Sequence, residues 1–596
     1  MLTSLTTIDI IVLLFFVAVM PLTGLLFSKK DSTEDYFLAG RSLRWWMVAG
    51  SIFGTNVNSF HLIGMLGIGF SVGLAQSHYE ILAPAGALLL CYVFLPVYRK
   101  LKVYTLSQYL EHRYDEKARL LYTILMITLI VVQLVAGFYI GGRTLRFLLL
   151  NTPLEITYMQ AIALMAIVTC SYTMFGGLNS IVATDNLQSV MMLMAGLLVA
   201  FLTFAQPEIG GLTGLLELER NMPREAQKMH LYLPTDHPDL PWSGVLSGLL
   251  ILHIFYYCNN QYLVQRTLAA RSDNEAKLGI IAASFLKLLI PLFSVTCGIA
   301  AAHLFRLRFG GLRNVLPDDA FLQLIATVVP TGYGLIGFIL AGLCVATFSS
   351  IDSMMNAATT LVSVDVYRKY LNRQADDRQM VRTGRITIAV IVVITALMAI
   401  LTYDPTSTGN FFLSVSSRGS YFTQGIVVAF MLGIWWKGAS ARGAIAALVA
   451  APLFAFGFEA FYNAQLGTLP AVEALFGPKL NFMHRVFVTF LFSLGVHFLV
   501  SHLLPDRDAR VSADTLAPRL PVPQMLLAGA FIGMLVLAVG QGWLSNVPAG
   551  IAGGIFTFGL FLFELRKDRK VQTVTVSRVF AGFLCAVVVF LLFWFP

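Results

Sequence analysis

Charge is what this sequence has least of. Only 12% of its 596 residues are Asp, Glu, Lys or Arg, against about a quarter in soluble proteins. Hydrophobic residues make up 57%, and the mean hydropathy is +0.75. A water-soluble globular chain is excluded. The six cysteines, Cys91, Cys170, Cys258, Cys297, Cys344 and Cys585, stand singly in apolar stretches with no CxxC pair. That argues against a disulfide framework or a thiolate metal centre, because isolated buried thiols pack as small hydrophobes. There is no nucleophile elbow, HExxH or P-loop, so the chain reads as a non-enzyme without a cofactor. No linker longer than forty residues and no polar stretch of domain length occur. Function must therefore lie within the apolar bulk.

What is present in abundance is apolar runs of about 20 residues, the length that crosses a hydrocarbon core as helix, whereas barrel strands show about ten residues of alternating polarity. The expected class is an all-α membrane protein. About sixteen spans are predicted, near 7–28, 46–75, 79–98, 120–149, 156–174, 182–205, 243–264, 278–304, 332–364, 386–402, 410–436, 440–463, 484–504, 524–542, 547–564 and 577–596. The first, Ile8 to Phe27, has no basic residue before it and ends in Ser28-Lys29-Lys30 without a small-residue cleavage site, so it reads as a retained helix.

The net charge of +9 is not a nucleic-acid footprint, because 29 of the 41 Lys and Arg fall in alternate loops: 29–45, 98–119, 266–277, 367–385, 437–442, 507–519 and 566–578. This positive-inside pattern makes those loops cytoplasmic and places both termini outside a cell membrane, plasma or bacterial inner. The long outward loops 206–242 and 305–331 are expected to hold short surface helices. His230, Asp236, His237 and Asp239 in the first are read as solvated residues rather than a metal site.

Two predicted spans carry polar centres: Gly54-Thr55-Asn56-Val57-Asn58-Ser59-Phe60-His61, and Tyr256-Tyr257-Cys258-Asn259-Asn260-Gln261. They stand five helices apart. Paired interruptions of this kind point to two inverted five-helix halves with a site at the midplane, since unwound backbone in a membrane is tolerated only where it lines a cavity.

At these residues the chain resembles the solute:sodium symporter family, and within it the sodium–sugar (glucose, galactose) cotransporter branch. The resemblance covers roughly residues 10 to 440. It is carried by Tyr36-Phe37-Leu38-Ala39-Gly40-Arg41-Ser42 before Trp45-Trp46, the run from Asn56 to Met65, and Tyr79-Glu80. Further along come Tyr172-Thr173-x-x-Gly176-Gly177-Leu178 with Thr184-Asp185, Gln265-Arg266-Thr267-Leu268-Ala269, and Ser349-Ser350 with Asn356. It implies a LeuT-type fold with a 5+5 inverted repeat, alternating access, and sodium as the coupling ion. The expected division is an extra helix and loop at 1–45, a ten-helix core at 46–436 and accessory helices at 437–596, functional as a monomer in the lipid bilayer.

By that resemblance, Gly54, Val57 and Ala346 supply backbone oxygens and Ser349 and Ser350 hydroxyls to sodium. The plainer alternative is that the serines bond back to their own helix. Asp185 and Asp352 are intramembrane acids, each costing at least about 2.5–3.5 kcal/mol unless paired or hydrated. With Ser350 and Ser353 they form a candidate second sodium position, or else solvated or gating acids near a helix end. The resemblance assigns the solute to His61, Glu80, His253, Tyr256, Tyr257 and Lys287: polar groups for sugar hydroxyls, with tyrosine faces to stack and close over the ring. One departure stands out. Ser416 replaces a glutamine of the sugar branch, and Arg418 follows two residues later. Arg418 leaves open a carboxylate-bearing solute, an acidic sugar or a monocarboxylate, as alternative to a neutral sugar or polyol; it also leaves open a pairing with Asp352 or another acid.

Overall fold

The computed structural model describes residues 5–28, 32–58, 60–150, 155–312, 315–403, 411–506, 522–567 and 572–594. Ser59, inside the first polar run, and the basic loop 507–519 lie outside the described residues. Every named element is helical. Among the described residues ten helices are long and apolar enough to cross a membrane. Of the expected sixteen spans, three are broken into shorter pieces, two fall within the single element 158–204 bent at Gly177, and two have shorter apolar stretches, Leu526–Gly540 and Asn546–Phe561.

The first helix, α1 (Thr7–Leu26), is capped by a box between Thr6 and Asp9. Asp9 is buried and accepts from the backbone N–H of Gly337 at 3.1 Å, which ties α1 to the helix that begins there. The first polar run is a true break. Helix α2 (Trp45–Asn56) ends where Val57 turns extended (φ −94°, ψ 107°), and after a π-turn at Phe60–Gly64 the chain resumes as α3 (Met65–Ser71). Then come α4 (Leu74–Lys100), α5 (Glu116–Leu149) and the 47-residue α6 (Tyr158–Phe204). Within α6, Gly177 has φ 60° and ψ −159°, so this element is two helices meeting at a sharp bend. Only glycine fits there: φ is left-handed, and a Cβ would lie 2.6 Å from the carbonyl oxygen of Tyr36.

The second polar run breaks in the same manner. The segment α7 (242–259) contains π-turns at Val245–Leu249 and Phe255–Asn259. Asn260 is extended (φ −96°, ψ 120°), and α8 (Gln261–Leu268) follows with the Asn260 side chain as its cap. Next are α9 (Asp273–Phe309), α10 (Leu335–Leu371) and α11 (Asp377–Leu401). A third break separates α12 (Phe411–Gly419) from α13 (Thr423–Trp435) by one 3-10 turn. The chain continues through α14 (Ala441–Ala464), α15 (Phe482–Leu503), α16 (Val522–Gly540), α17 (Asn546–Lys567) and α18 (Gln572–Trp594). The loops 206–242 and 305–331 do carry short helices, Gly211–Arg220 and Ala320–Val328.

Burial sorts these elements. In α10, 89% of the apolar window is enclosed by protein, against 22% in α1 and 28% in α14, α15 and α18. A helix apolar on all sides and enclosed on all sides is a core helix, whereas the others turn apolar faces to lipid. At the basic-loop end, Asp365 of α10 is buried and held by Arg119 at 2.6 Å, Thr105 at 2.9 Å and Ser107. The other end is called the far end below.

Candidate functional site

The break after α2 frees carbonyls that an intact helix would consume. Two of them meet hydroxyls from α10: Ser349 Oγ donates to the Gly54 carbonyl, and Ser350 Oγ to the Thr55 carbonyl at 3.0 Å. Neither serine bonds back to its own helix in these contacts. Asn58 Nδ2 adds a bond to Ser350 Oγ at 3.0 Å. Gly54 must be glycine for packing, because a Cβ there would sit 2.6 Å from Ser189 Oγ and 2.7 Å from the Asp185 carbonyl. The missing side chain lets α2 lie against α6 and brings its carbonyls level with the serines. Val57 and Ala346 are buried in the same junction. Hydroxyls and freed carbonyls of this kind are the oxygen donors that a sodium ion takes in a membrane.

Directly beside them is a cavity of about 230 Å³, lined among others by Ser350, Asn58, Gln133, Thr423 and Met354. It is below the roughly 300–1,000 Å³ of pockets for drug-sized ligands, so it suits a small solute. His61, Glu80, His253, Tyr256, Lys287 and Ser416 all line it. Glu80 is the hub: Lys287 Nζ lies 3.1 Å from Oε2 and His61 Nε2 3.4 Å from Oε1. Lys287 also donates to Asn56 Oδ1 at 3.0 Å. His253 Nε2 is buried without a hydrogen-bond partner among the described residues, as is the hydroxyl of Tyr79. Phe412 of α12 lies over this space, its ring centroid 5.0 Å from that of Tyr79 and 6.1 Å from that of His61.

On the side of the serines toward the basic loops lies a second polar cluster, fully enclosed. Asp185 Oδ2 accepts from Ser51 Oγ at 2.5 Å and Thr55 Oγ1 at 3.3 Å, and pairs with Arg266 at 3.2 Å. Arg266 also donates to Ser51 Oγ at 2.7 Å and to Ser353 Oγ. Asp352 accepts from Tyr172 OH at 2.7 Å and Ser353 Oγ at 3.1 Å. Arg266 thus pairs with Asp185 and is linked to Asp352 only through Ser353, and Asp185 Oδ1 is buried without a hydrogen-bond donor among the described residues. Buried carboxylate oxygens are ordinarily hydrogen-bonded, and this one is an exception.

Two expectations are corrected. Tyr257 does not line the cavity; it sits behind, its hydroxyl accepting from Asn56 Nδ2 at 3.4 Å, because the π-turn at 255–259 shifts the helix phase so that Tyr256 alone faces the space. Arg418 is not at the cavity either, nor paired with Asp352. It lies on the opposite face of α12, in a separate cleft at the far end with Asp239 and Ser417. Arg266, counted with a basic loop by its position in the chain, is instead wholly buried against Asp185. The contributions of Ser51, Thr55, Asn56, Asn58, Tyr172 and Phe412 were not singled out. Asn56 and Asn58 stood inside the polar run and Tyr172 inside a quoted motif; Ser51 and Phe412 carry no distinguishing sequence signal. Among the described residues no group of His, Cys, Asp and Glu fit to hold a metal cluster occurs, and His230, Asp236, His237 and Asp239 remain loop residues.

Residues 36–450 match the family model described as the Sodium:solute symporter family. The Sodium/glucose cotransporter of Vibrio parahaemolyticus is 33% identical over 473 residues, covering 76% of this chain and 85% of that protein. The Sodium/myo-inositol cotransporter 2 of Homo sapiens is 31% identical over 469 residues, covering 74% and 68%. Among solved structures, a Na+-coupled sialic acid symporter in a substrate-bound outward-open state superposes with a TM-score of 0.70 at 22% identity, over 84% of this chain and all of that one. The fold is that of a membrane transporter.

Proposed function

The chain belongs to the sodium:solute symporter family, and from that premise we propose that the solute it couples to sodium is a small neutral polyhydroxylated molecule, a hexose or a cyclitol. Sodium is the coupling ion and the chain is a multi-pass membrane protein, not an enzyme. The observation that carries the solute reading is the Glu80–Lys287 pair: among the described residues, the one carboxylate lining the cavity is already neutralised, at 3.1 Å, by its one lysine. An anionic solute would have to compete with Glu80 for that lysine. A neutral polyol instead finds acceptors on Glu80, donors on Lys287 and Asn58, the unpartnered His253 nitrogen, and an aromatic face on Tyr256. Two relatives named for glucose and myo-inositol support the same class.

In this reading sodium is a co-transported substrate held by the Gly54, Val57 and Ala346 carbonyls with Ser349 and Ser350. Its binding braces the broken α2 against α10 and so shapes the adjoining solute wall at Asn56 and Asn58. A second sodium lies at Asp185, Ser350, Asp352 and Ser353, using the orphaned Asp185 oxygen. A tenfold sodium gradient supplies about 1.4 kcal/mol, and a potential of 100 mV about 2.3 kcal/mol per charge. Each ion thus supports several-hundredfold accumulation.

The architecture behind this is a LeuT-type pair of inverted five-helix halves. Each of the broken pairs α2/α3, α7/α8 and α12/α13 makes one span, and α6 makes two about Gly177, which brings the count to sixteen. An even count is consistent with both termini on one side, and the basic loops support that side, with the far end, being outside. Residues 46–436 are the moving core, 1–45 and 437–596 are accessory, and one chain is the working unit.

Uptake of labelled D-glucose, D-galactose, myo-inositol, sialic acid, lactate and proline into proteoliposomes, with and without a sodium gradient, tests this. Sodium-driven accumulation of a neutral polyol is expected. Sodium-driven uptake of lactate or sialic acid alone would overturn the solute reading.

A further inference from the structure

The break between α12 and α13 is held from outside the core. Arg485 of α15 is 1% exposed, and it donates to the Ser417 carbonyl and to Ser420 Oγ, both at 2.8 Å. Its guanidinium lies 3.6 Å from the Tyr421 ring centroid and pairs with Glu459 of α14, which also accepts from Tyr421 OH. Tyr421 in turn stacks on Phe456 of α14 at 3.9 Å. Apart from the Arg485–Glu459 pair, these contacts fall on residues 417–421, where α12 gives way to a single 3-10 turn. A helix end of this kind leaves carbonyls without partners, and a cation there satisfies them and complements the helix dipole. A buried guanidinium is costly unless its donors are used. Here the two terminal nitrogens are used, one on Glu459 and the other on the break in another helix.

The opposite face of α12 belongs to the solute cavity. Ser416 and Gly419 line it, and Phe412 crosses it against Tyr79 and His61. Two turns of helix therefore connect the Arg485 clamp to an aromatic cover over the solute. Arg485 stands beyond residue 450, where the family match ends, and does not itself line the cavity, but it bonds directly to the lining residue Ser420.

We propose that Arg485 is a positioning residue that fixes the pose of the half-helix cover α12 from behind, and thereby sets solute affinity without touching solute or sodium. The second clause rests on the solute reading above; the first does not.

The test is hydrogen–deuterium exchange by mass spectrometry on the full-length protein in nanodiscs, comparing wild type with Arg485→Met, Arg485→Lys and Ser420→Ala. Loss of charged hydrogen bonds at the break predicts amide exchange in 411–422 faster by about tenfold to a hundredfold in Arg485→Met. Exchange in 335–360, 441–464 and 482–503 stays as in wild type. Arg485→Lys restores part of the protection, and Ser420→Ala, which keeps the Glu459 pair, still loosens 411–422. With labelled myo-inositol and D-glucose, KM rises about tenfold in Arg485→Met while half-saturating sodium is unchanged, as for a binding term that sodium does not share. Unchanged exchange in 411–422, or an equal rise across 441–464 and 482–503 with KM unaltered, overturns the proposal by making Arg485 a mere tie between α14 and α15. If Arg485→Met does not fold, Ser420→Ala decides alone. Should neither tracer be carried, the solute reading fails while the exchange result still decides the clamp.

Discussion

Lys287 Nζ lies 3.1 Å from Glu80 Oε2 and 3.0 Å from Asn56 Oδ1, and all three side chains are buried. The pair thus links α9 and α4 to the broken end of α2, where ion and solute walls meet. Breaking one side of a buried pair leaves an uncompensated charge, worth about 3–5 kcal/mol. Lys287→Met is expected to abolish uptake and lower the detergent unfolding temperature by several degrees. Adding Glu80→Gln should recover most of the stability and none of the uptake. A Lys287→Met protein as stable as wild type would show that Glu80 is not held by this pair.

The contact of Ser349 with the Gly54 carbonyl bridges α10 to the broken helix. Removing that hydroxyl takes one oxygen from the proposed ion shell, a loss of about 1–3 kcal/mol. Ser349→Ala should raise half-saturating sodium by about tenfold to a hundredfold, with solute KM at saturating sodium nearly unchanged. The check is sodium activation of uptake at fixed solute. An equal shift in both constants would place Ser349 outside the ion shell.

Arg266 pairs with Asp185, while Asp352 is held by the hydroxyls of Tyr172 and Ser353. If these two acids hold a second sodium, activation by sodium is cooperative in wild type. Asp185→Asn and Asp352→Asn should both make it hyperbolic, whereas Ser349→Ala should not. Hyperbolic activation in wild type would assign these acids a structural or gating role.

Far from the cavities, Lys228 in the loop 206–242 caps the end of α3, donating to the Phe70 and Ser71 carbonyls. Burial pushes its ammonium down from the ordinary 10.5 to about 8. Burial disfavours the charged form, so the folded chain binds fewer protons than the unfolded one between these values. The penalty is fully present below about 8 and is relieved as pH rises toward 10.5. Competitive acetylation read by mass spectrometry should show Lys228 half-reactive near pH 8, well below surface lysines. Reactivity rising only with the surface set would contradict its burial.

Much of this was legible in the chain because membrane physics writes it there. Apolar length marks helices, and polar centres at 54–61 and 256–261 mark breaks, since freed backbone cannot face lipid. The structure places those breaks at Val57 and Asn260, inside the two runs. Facing was less legible. A helical period assigns sides only while the helix is regular, and the π-turn at 255–259 turned Tyr257 away; Ser416 and Arg418, two positions apart in the regular α12, fall on opposite faces as that period requires. Arg266 was misplaced for another reason: a basic residue two positions from the end of α8 looks like loop charge, and only the approach of Asp185 from α6 explains its burial. Likewise nothing local in the sequence pairs Arg485 with a break 65 residues away in the chain.

The central claim is that the ion at Ser349 and the solute at Glu80 move together. Solute-induced entry of radiolabelled sodium into proteoliposomes, measured with myo-inositol and D-glucose in wild type, Ser349→Ala and Glu80→Gln, tests it most directly. The account predicts solute-driven sodium entry in wild type and its loss in Glu80→Gln, although sodium still binds that variant. In Ser349→Ala it should return only at raised sodium. Solute uptake in wild type with no accompanying sodium entry would contradict it.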